Sequence, residues 1–467
     1  MTQHVDAIII GFGKAGKTLA GFLGSKGQSV VLVEKDPKMY GGTCINVGCI
    51  PSKKLAWKAN ERPISSLDDA AYYEKAMEEK FALISALNGA NYKKVASVPG
   101  VTVLDGTASF VDSHTVRVAT AEGPVDLYSD KIFINTGATP IIPEGVTLSD
   151  TVITSEGLLS LKTFPKRLTI IGGGFIGLEF ASTYAQYGTK VTVLDKNTTF
   201  LPREDRDVAD AVKASFEALG VNIIAGAHVI AVDSGVTSAS SADTVSSNST
   251  GAASVKPIIT YTVDGQENTI EQDIVLVATG RKANTEGLNL AAAGVETDRR
   301  GAIPVNEFLQ TNVPHIWALG DVNGGPNFTY ISLDDFRVVK DFLFDKTGYS
   351  TKERQTFPTS TFIYPTLSQV GLTESAAREA GYDVLVKSLP VSAIPKAKII
   401  GNQTGLYKAI IDAKTEKILG ATLFAPESHE VINIIALAMR LGASYKTLAN
   451  QIFTHPTMAE ALNDLFA

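Results

Sequence analysis

The sequence predicts an α/β chain with two Rossmann-like nucleotide-binding domains followed by a third, α+β domain. Three observations carry this expectation. A strand, a glycine turn, a helix, a second strand and a terminal acid occur in that order twice. The spacing is the same in both copies. After about residue 345 the pattern changes to strand-like runs that alternate with helical ones.

The first copy begins with the apolar run Ile8 to Ile10 and turns at Gly11-Phe12-Gly13-Lys14-Ala15-Gly16. An Ala/Leu-rich helix pattern follows, then a strand over Ser29 to Val33, then Glu34. The second copy begins at Leu168, turns at Gly172-Gly173-Gly174-Phe175-Ile176-Gly177, and has its second strand over Lys190 to Leu194 before Asp195. In each copy the acid stands 23 residues after the first glycine. The first glycine permits the tight turn, the second lets backbone approach a pyrophosphate, and the third lets helix and strand pack closely. The pyrophosphate then lies on a helix N-terminus, where free N–H groups and the helix dipole favour negative charge. The acid accepts hydrogen bonds from ribose hydroxyls. One such motif is weak evidence; two complete copies predict two dinucleotide sites.

Residues 233–256 are rich in Ser, Ala, Thr and Gly and read as a flexible surface excursion within the second copy. Asn248-Ser249-Thr250 formally matches a glycosylation acceptor, which has no meaning without secretion. In the C-terminal region Gly405 to Ile411 and Ile418 to Phe424 read as strands, and Glu430 to Leu441 as a helix. The net charge of −7 argues against a nucleic-acid surface, which needs a basic face. No run approaches the roughly 18 apolar residues of a membrane span. The N-terminal run enters its glycine turn with no signal-peptide pattern, so a cytoplasmic protein without nucleic-acid or membrane partners is expected.

The chain has 2 cysteines, Cys44 and Cys49, inside one short window. A disulfide scaffold is thereby excluded, and a local pair in a reducing compartment points to redox chemistry or a metal. Zinc needs four ligands, and no second Cys or Cys/His pair stands at suitable spacing, so no metal site is expected. The pair precedes a helical pattern over Lys53 to Ala59. A helix start lowers thiol pKa, and the thiolate is what disulfide exchange uses.

The stretch Gly41 to Lys53 closely resembles the active-site motif of the pyridine nucleotide–disulfide oxidoreductases. So do Ile134-Asn135-Thr136-Gly137, Ala278-Thr279-Gly280-Arg281, Ile316-Trp317-Ala318-Leu319-Gly320-Asp321 and His455-Pro456-Thr457 with Glu460. The resemblance spans essentially the whole chain. It implies an FAD-binding domain over 1–148 and again over 279–345, an NAD(P)H-binding domain over 149–278, and a C-terminal dimerisation domain over 346–467. It assigns FAD to Gly11, Gly13, Gly16, Glu34, Lys35, Gly42, Thr43, Lys53, Thr136, Gly137 and Asp321. It assigns the nicotinamide nucleotide to Gly172, Gly174, Phe175, Ile176, Gly177, Asp195, Lys196 and Gly280, with Phe175 as an aromatic gate over the flavin. Cys49 becomes the charge-transfer thiol and Cys44 the interchange thiol that meets substrate. Lys53 and Glu179 match a pair beside the reactive flavin nitrogen. His455 and Glu460 match an acid–base dyad that reaches the site from the partner subunit, so a homodimer is implied. The dyad also makes chemical sense: His titrates near neutral pH, and a carboxylate fixes its tautomer and raises its basicity. The remaining histidines, His429 included, read as surface or capping residues.

Asp195 would repel a 2′-phosphate, so NADH is the expected nucleotide. Lys196 stands near where NADPH-specific relatives place phosphate-binding arginines, which leaves NADPH use open. With no third cysteine, electrons leave directly from Cys44. Phe453 occupies a position that is usually His in dihydrolipoamide dehydrogenase. The segments Lys14 to Thr18, Met39 to Cys44, Leu201 to Asp207, Phe328 to Arg337 and Gln451 to Pro456 resemble a bacterial subfamily of reactive-chlorine-resistance flavoproteins. That resemblance implies an NADH-driven reductase of a small oxidant, hypothiocyanous acid, with copper(II) as a second acceptor. The alternatives are a dihydrolipoamide dehydrogenase of a 2-oxoacid dehydrogenase complex, and a redox-sensing flavoprotein without turnover.

Overall fold

Parallel strands covered on both faces are continuous apolar runs, and Ala7-Ile8-Ile9-Ile10 is such a run. The computed structural model describes residues 2–62, 68–234, 256–354 and 356–467. It divides into two compact units. One comprises Met1–Lys54, Lys75–Ile141 and Gly280–Arg354; the other comprises Leu55–Glu74, Ile142–Thr279 and Gln355–Ala467.

In the first unit the strands lie in the order Ile316–Ala318, Ile132–Ile134, Ala7–Ile10, Val30–Glu34, Val101–Asp105, all parallel. Ala15, Leu19, Ala20 and Leu23 of the Lys14–Ser25 helix pack on one face with Phe133 and Trp317. Phe110, Val116, Val118 and Leu127 of a second, four-stranded sheet cover the other. Strand order reverses between Ala7–Ile10 and Ile132–Ile134, and ligands of such sheets bind at the carboxyl ends of the strands at that switch. The first glycine turn, Asn135 and Gly320-Asp321 all leave the sheet at those ends.

The second unit holds the second parallel sheet, in the order Val152–Thr154, Ile274–Val277, Arg167–Ile171, Lys190–Asp195, Asn222–Ala225. Its glycine turn leaves Arg167–Ile171, again beside the reversal. A three-stranded antiparallel sheet, His228–Asp233, Ile258–Val263 and Gln266–Glu271, belongs to the same unit. Residues 235–255 of the predicted excursion lie outside the described residues. The C-terminal part is an antiparallel sheet ordered Thr359–Thr361, Leu367–Gly371, Ile418–Phe424, Leu406–Asp412, Val384–Pro390. The Ser428–Arg440 helix lays Val431, Ile432 and Ile435 onto its Ala421 and Leu423. The fold is therefore α/β with two dinucleotide-binding sheets and a C-terminal α+β part. Among the described residues no helix is long and apolar enough to cross a membrane.

Lys408, on the strand Leu406–Asp412, is buried, and its ammonium pairs with Asp205 at 3.2 Å, Asp207 at 3.0 Å and Glu374 at 2.9 Å. Burial opposes its charge, yet the carboxylates hold its pKa above the ordinary lysine value. Two of them belong to the Leu201 to Asp207 segment. Removing one partner of a buried ion pair strands the others, so Lys408→Met is expected to destabilise by about 3 kcal/mol, read as a lower urea midpoint.

Candidate active site

Gly11 has φ +104°, and a Cβ there would stand 2.4 Å from the Asn135 carbonyl oxygen, so only glycine fits. At Gly13 a Cβ would meet Asn135 Oδ1 at 2.5 Å. The second glycine of this copy therefore leaves room for the Asn135 side chain. Asn135 Oδ1 accepts the Gly16 N–H at 2.9 Å and its Nδ2 donates to the Leu319 carbonyl at 2.6 Å. Glu34 accepts from the Phe12 N–H at 3.0 Å and the Asp36 N–H at 3.2 Å. Its burial raises the carboxyl pKa against the pull of those donors. Lys35 beside it is exposed. Thr136 Oγ1 donates to the Asn284 carbonyl, and Gly137 has φ +75°.

Asp321 follows Gly320, and its burial raises its pKa against the opposing charge of Arg281. The Gly320 N–H is held at 2.5 Å by the carboxylate of Asp335, which is fully buried. Arg354 approaches Asp335 to 2.6 Å as an ion pair not aligned as a hydrogen bond. Burial pushes Asp335 up to about 6 despite Arg354 and the amide.

The second turn repeats the close approach. Gly172 has φ +115°, and a Cβ would lie 2.5 Å from the Ala278 carbonyl oxygen. At Gly177 a Cβ would strike the Gly172 carbonyl at 2.1 Å. Gly174 differs from its counterpart Gly13: nothing stands within 4 Å of its Cβ position, so this turn is open. Asp195 is buried; its Oδ1 accepts the Asn197 backbone N–H at 3.1 Å and side-chain amide at 3.0 Å, while Oδ2 has no hydrogen-bond partner among the described residues. Phe175, 51% exposed, and Ile176 open the Phe175–Tyr187 helix. Glu179 lies one turn on, accepting the Phe362 N–H at 2.9 Å. Lys196 is exposed and Gly280 has φ +125°.

The cysteine loop leaves the sheet after Val30–Glu34. Gly41 and Gly42 have φ +98° and +80°, and a Cβ at Gly42 would sit 2.8 Å from the Gly13 Cα, so the loop lies directly on the first glycine turn. Asn88, on the Asp69–Ala96 helix, donates to the Lys38 carbonyl at 2.9 Å and to Asn46 Oδ1 at 3.1 Å. Asn46 in turn donates to the Tyr40 and Gly42 carbonyls. Cys44 lies in the short Thr43–Asn46 helix, and Cys49 opens the Cys49–Asn60 helix with Lys53 one turn beyond. Both cysteines are reduced, with Cys44 half-buried and Cys49 exposed. Thr329 Oγ1, at the start of the Thr329–Lys340 helix, lies 3.7 Å from Cys49 Sγ.

The expected lowering of thiol pKa fails at Cys44. Its hydrogen bond to Cys49 pushes the thiol up, and burial and the charge of Cys49 add to this, against Thr329 and Lys17. Two sulfurs that share one proton cannot both ionise easily, and this outweighs the dipole of a four-residue helix.

At the C-terminus His455 Nδ1 stands 2.7 Å from Glu460 Oε2, and Glu460 Oε1 accepts the Thr457 N–H at 3.1 Å. The His455 ring is 70% exposed. Burial works to raise the Glu460 pKa, but His455 and the Thr457 amide bring it below the ordinary value. The structure thus brings Cys44 to Cys49, and His455 to Glu460, each by local chain geometry.

A family model described as pyridine nucleotide-disulphide oxidoreductase matches residues 5–335, and one for the dimerisation domain of that family matches residues 357–466. The chain belongs to the pyridine nucleotide-disulphide oxidoreductases. It is 43% identical over 464 residues to the probable pyridine nucleotide-disulfide oxidoreductase RclA of Escherichia coli K12, covering 99% of this chain and 98% of that one. It is 34% identical to the mercuric reductase of Staphylococcus aureus, covering 98% of this chain and 81% of that one. The solved Cu(II) complex of the HOCl-induced flavoprotein disulfide reductase RclA from Escherichia coli aligns with a TM-score of 0.90 at 43% identity, covering 100% of this chain and 99% of that one.

Membership of this oxidoreductase family implies FAD and NAD(P)H, and the dimerisation-domain match implies a homodimer. The residues fit both nucleotides. The unpartnered Asp195 oxygen is a buried acceptor that a ribose hydroxyl would satisfy, and the open Gly174 turn leaves room for phosphate oxygens. Glu34 ends the equivalent strand of the first sheet beside its own glycine turn.

Several residues at the site were not singled out in the sequence. Asn135 sits within a motif quoted above but was given no role. Ser332, which accepts the Ala15 N–H at 3.2 Å, and Thr329 and Asp335 lie within the Phe328 to Arg337 segment, whose resemblance to the bacterial subfamily was the available signal. Asn88, Asn91 and Arg354 carry no motif and become visible only when the chain is folded.

Asp335 supplies a signed prediction. With a folded pKa near 6 against 3.8 for the free group, the native state holds a proton that the unfolded state has lost. Stability therefore falls as pH rises through this interval. Relative to Asp335→Asn, the wild type is expected to lose stability between about pH 4 and pH 6 in urea unfolding, with no further drift above that window. A difference that stays constant across it would refute the assignment.

Proposed function

We propose that this chain is an FAD-dependent NAD(P)H oxidoreductase that reduces a small oxidant, hypothiocyanous acid first, through the Cys44–Cys49 pair. The observation that carries this reading is the pair itself: two hydrogen-bonded thiols in a chain without a third cysteine. The similarity to an HOCl-induced flavoprotein disulfide reductase supports the choice of oxidant class. The reading includes the domain boundaries and site roles expected from the sequence, a cytoplasmic location, and protection against chlorine and thiocyanate oxidants.

FAD, when bound, supplies the route by which reducing equivalents pass from the nicotinamide to the disulfide. Gly11, Gly13, Gly16, Glu34, Lys35, Gly42, Thr43, Lys53, Thr136, Gly137 and Asp321 would hold it. Gly172, Gly174, Phe175, Ile176, Gly177, Asp195, Lys196 and Gly280 would hold the nicotinamide nucleotide, with Lys53 and Glu179 serving the flavin ring. Cys44 attacks the electrophilic sulfur of hypothiocyanous acid as its thiol proton passes to His455 of the partner subunit, and the expelled hydroxide takes that proton and leaves as water. The Cys49 thiol then attacks the Cys44 sulfur, loses its proton and releases thiocyanate. The balance is dithiol plus HOSCN giving disulfide, thiocyanate, water and one proton. Glu460 fixes the His455 tautomer through the Nδ1 contact, which leaves Nε2 for proton transfer. Copper(II) would be a second substrate: one dithiol reduces two ions to copper(I), a state that soft sulfur favours. Among the described residues no group of three or more His, Cys, Asp or Glu forms a resident metal site.

The test is anaerobic NADH oxidation with hypothiocyanous acid, copper(II) and glutathione disulfide in parallel, beside NAD+ reduction by dihydrolipoamide. Fast turnover on hypothiocyanous acid is expected, and Cys44→Ser or Cys49→Ser should lower it by at least a thousandfold, on the order of losing one covalent step. Turnover confined to dihydrolipoamide would instead assign a dihydrolipoamide dehydrogenase.

Asp195 sets the nucleotide preference. The wild type is expected to favour NADH, and Asp195→Ala should shift the NADH to NADPH ratio of kcat/KM by about tenfold toward NADPH, the scale of one lost hydrogen bond to a charged group.

A further inference from the structure

A cleft of about 300 Å³ lies in the first unit and is lined by none of the residues given a role above. Its walls are the paired strands Ala138–Pro140 and Arg281–Ala283, the loop that follows them, and the turn at Arg300-Gly301. Thr139 and Lys282 stand opposite each other across the strand pair. Asp298 holds the turn, its Oδ1 accepting the Arg300 and Ala302 N–H groups at 2.8 and 2.9 Å. Thr285 Oγ1 ties the loop to the turn by donating to the Gly301 carbonyl at 2.9 Å. Lys282 and Arg300 are exposed at the cleft, and among the described residues neither forms an ion pair. Glu286 is the one carboxylate of the lining.

Two cations against one carboxylate on a concave surface leave a positive field that selects an anion. A guanidinium fork beside an ammonium matches phosphate oxygens. Glu286 only accepts, so it suits hydroxyl groups of the same ligand and repels a ligand that is anionic throughout. The volume is at the lower end of small-molecule sites, about 300–1,000 Å³, which suits one sugar phosphate better than a dinucleotide. The cleft also reaches the first nucleotide site. Asn284 lines it, and its N–H donates to the Gly137 carbonyl at 2.9 Å and its Nδ2 to the Thr136 carbonyl at 3.3 Å. Its own carbonyl accepts from Thr136 Oγ1 at 2.7 Å. We infer that the cleft is an effector site for a phosphorylated sugar, free or as part of a mononucleotide, coupled through Asn284 to the Thr136–Gly137 loop. Phosphate oxygens meet Lys282 and Arg300, and sugar hydroxyls donate to Glu286. The site itself is independent of the proposed function; only the coupling rests on the FAD roles of Thr136 and Gly137.

The test is calorimetric titration of ribose 5-phosphate, AMP, ribose and inorganic phosphate into the holoenzyme saturated with NAD+, which keeps AMP out of the nicotinamide-nucleotide site. Ribose 5-phosphate is expected to bind and ribose is not. Lys282→Ala and Arg300→Ala should each weaken ribose 5-phosphate by about tenfold, the scale of one charge-assisted hydrogen bond. Arg299→Ala, outside the lining, should leave it unchanged. Both lining side chains are exposed, so folded variants are expected, and Lys282→Gln and Arg300→Gln serve if an alanine variant folds poorly. AMP binding tighter than ribose 5-phosphate would mark a mononucleotide as the ligand; otherwise the free sugar phosphate is the ligand. With ribose 5-phosphate bound, FAD affinity on dilution, read by flavin fluorescence, should rise about fivefold in the wild type and not in Arg300→Ala, a coupling at the modest end of the usual range. Binding with unchanged FAD affinity would overturn the coupling alone. Inorganic phosphate binding as tightly as the esters would overturn the sugar phosphate assignment. No binding of either ester, or binding that survives both substitutions, would overturn the whole inference while leaving the flavin reading intact.

Discussion

The buried side chain of Asn135 is the constraint on which the first nucleotide site depends. Three neighbouring parallel strands end at one edge of their sheet, and their loops must be brought together without water. Asn135 does this with one amide group, accepting the Gly16 N–H and donating to the Leu319 carbonyl. Its position excludes any side chain at Gly11 or Gly13, so the glycines and the asparagine are one arrangement. Neither group could be left unpaired at that depth without a desolvation cost of about 1–3 kcal/mol. Gly320-Asp321 then follows directly from the held Leu319 carbonyl, and Asp335 holds the next amide. The cysteine loop inherits the same frame, because Gly42 rests on Gly13.

The redox pair is therefore placed by backbone packing and tuned by its neighbours. A helix start was expected to favour thiolate at both sulfurs, and the mutual hydrogen bond reverses that for Cys44. Coupling between two titrating groups a bond apart exceeds the field of one short helix. Asn88, on the Asp69–Ala96 helix, holds the loop from outside through its neutral amide, and Asn91, one turn on, accepts from Lys17, whose ammonium also donates to the Gly41 carbonyl.

The two nucleotide turns share backbone geometry and differ in what faces them. Gly11 and Gly172 each pass within van der Waals contact of a carbonyl from the neighbouring strand end. Gly13 meets Asn135, whereas Gly174 faces open space, and Asp195 keeps one oxygen unpartnered. The first turn packs against Asn135, and the second packs Gly173 against Asp195 while leaving open space at Gly174.

Much of this was legible in the amino-acid order, because local chemistry wrote it there. Buried parallel strands must be apolar throughout, a turn with positive φ must be glycine, and a strand-ending acid must stand at a set distance from its turn. The fold class, both nucleotide motifs and the cysteine pair follow from such local rules. His455 and Glu460, five residues apart, were likewise paired from sequence through the motif around them. What the order of residues did not reveal is which distant groups meet. Nothing local couples Asn135 to Leu319, Asp335 to Gly320, Lys17 to Gly41, or Lys408 to Asp205, since these pairs are brought together only when sheets and helices pack. Local sequence determined the elements and their turns, and the tertiary structure alone decided the buried partners and the proton affinities. Burial and the charge of a neighbour are properties of packed space, and no stretch of chain carries them by itself.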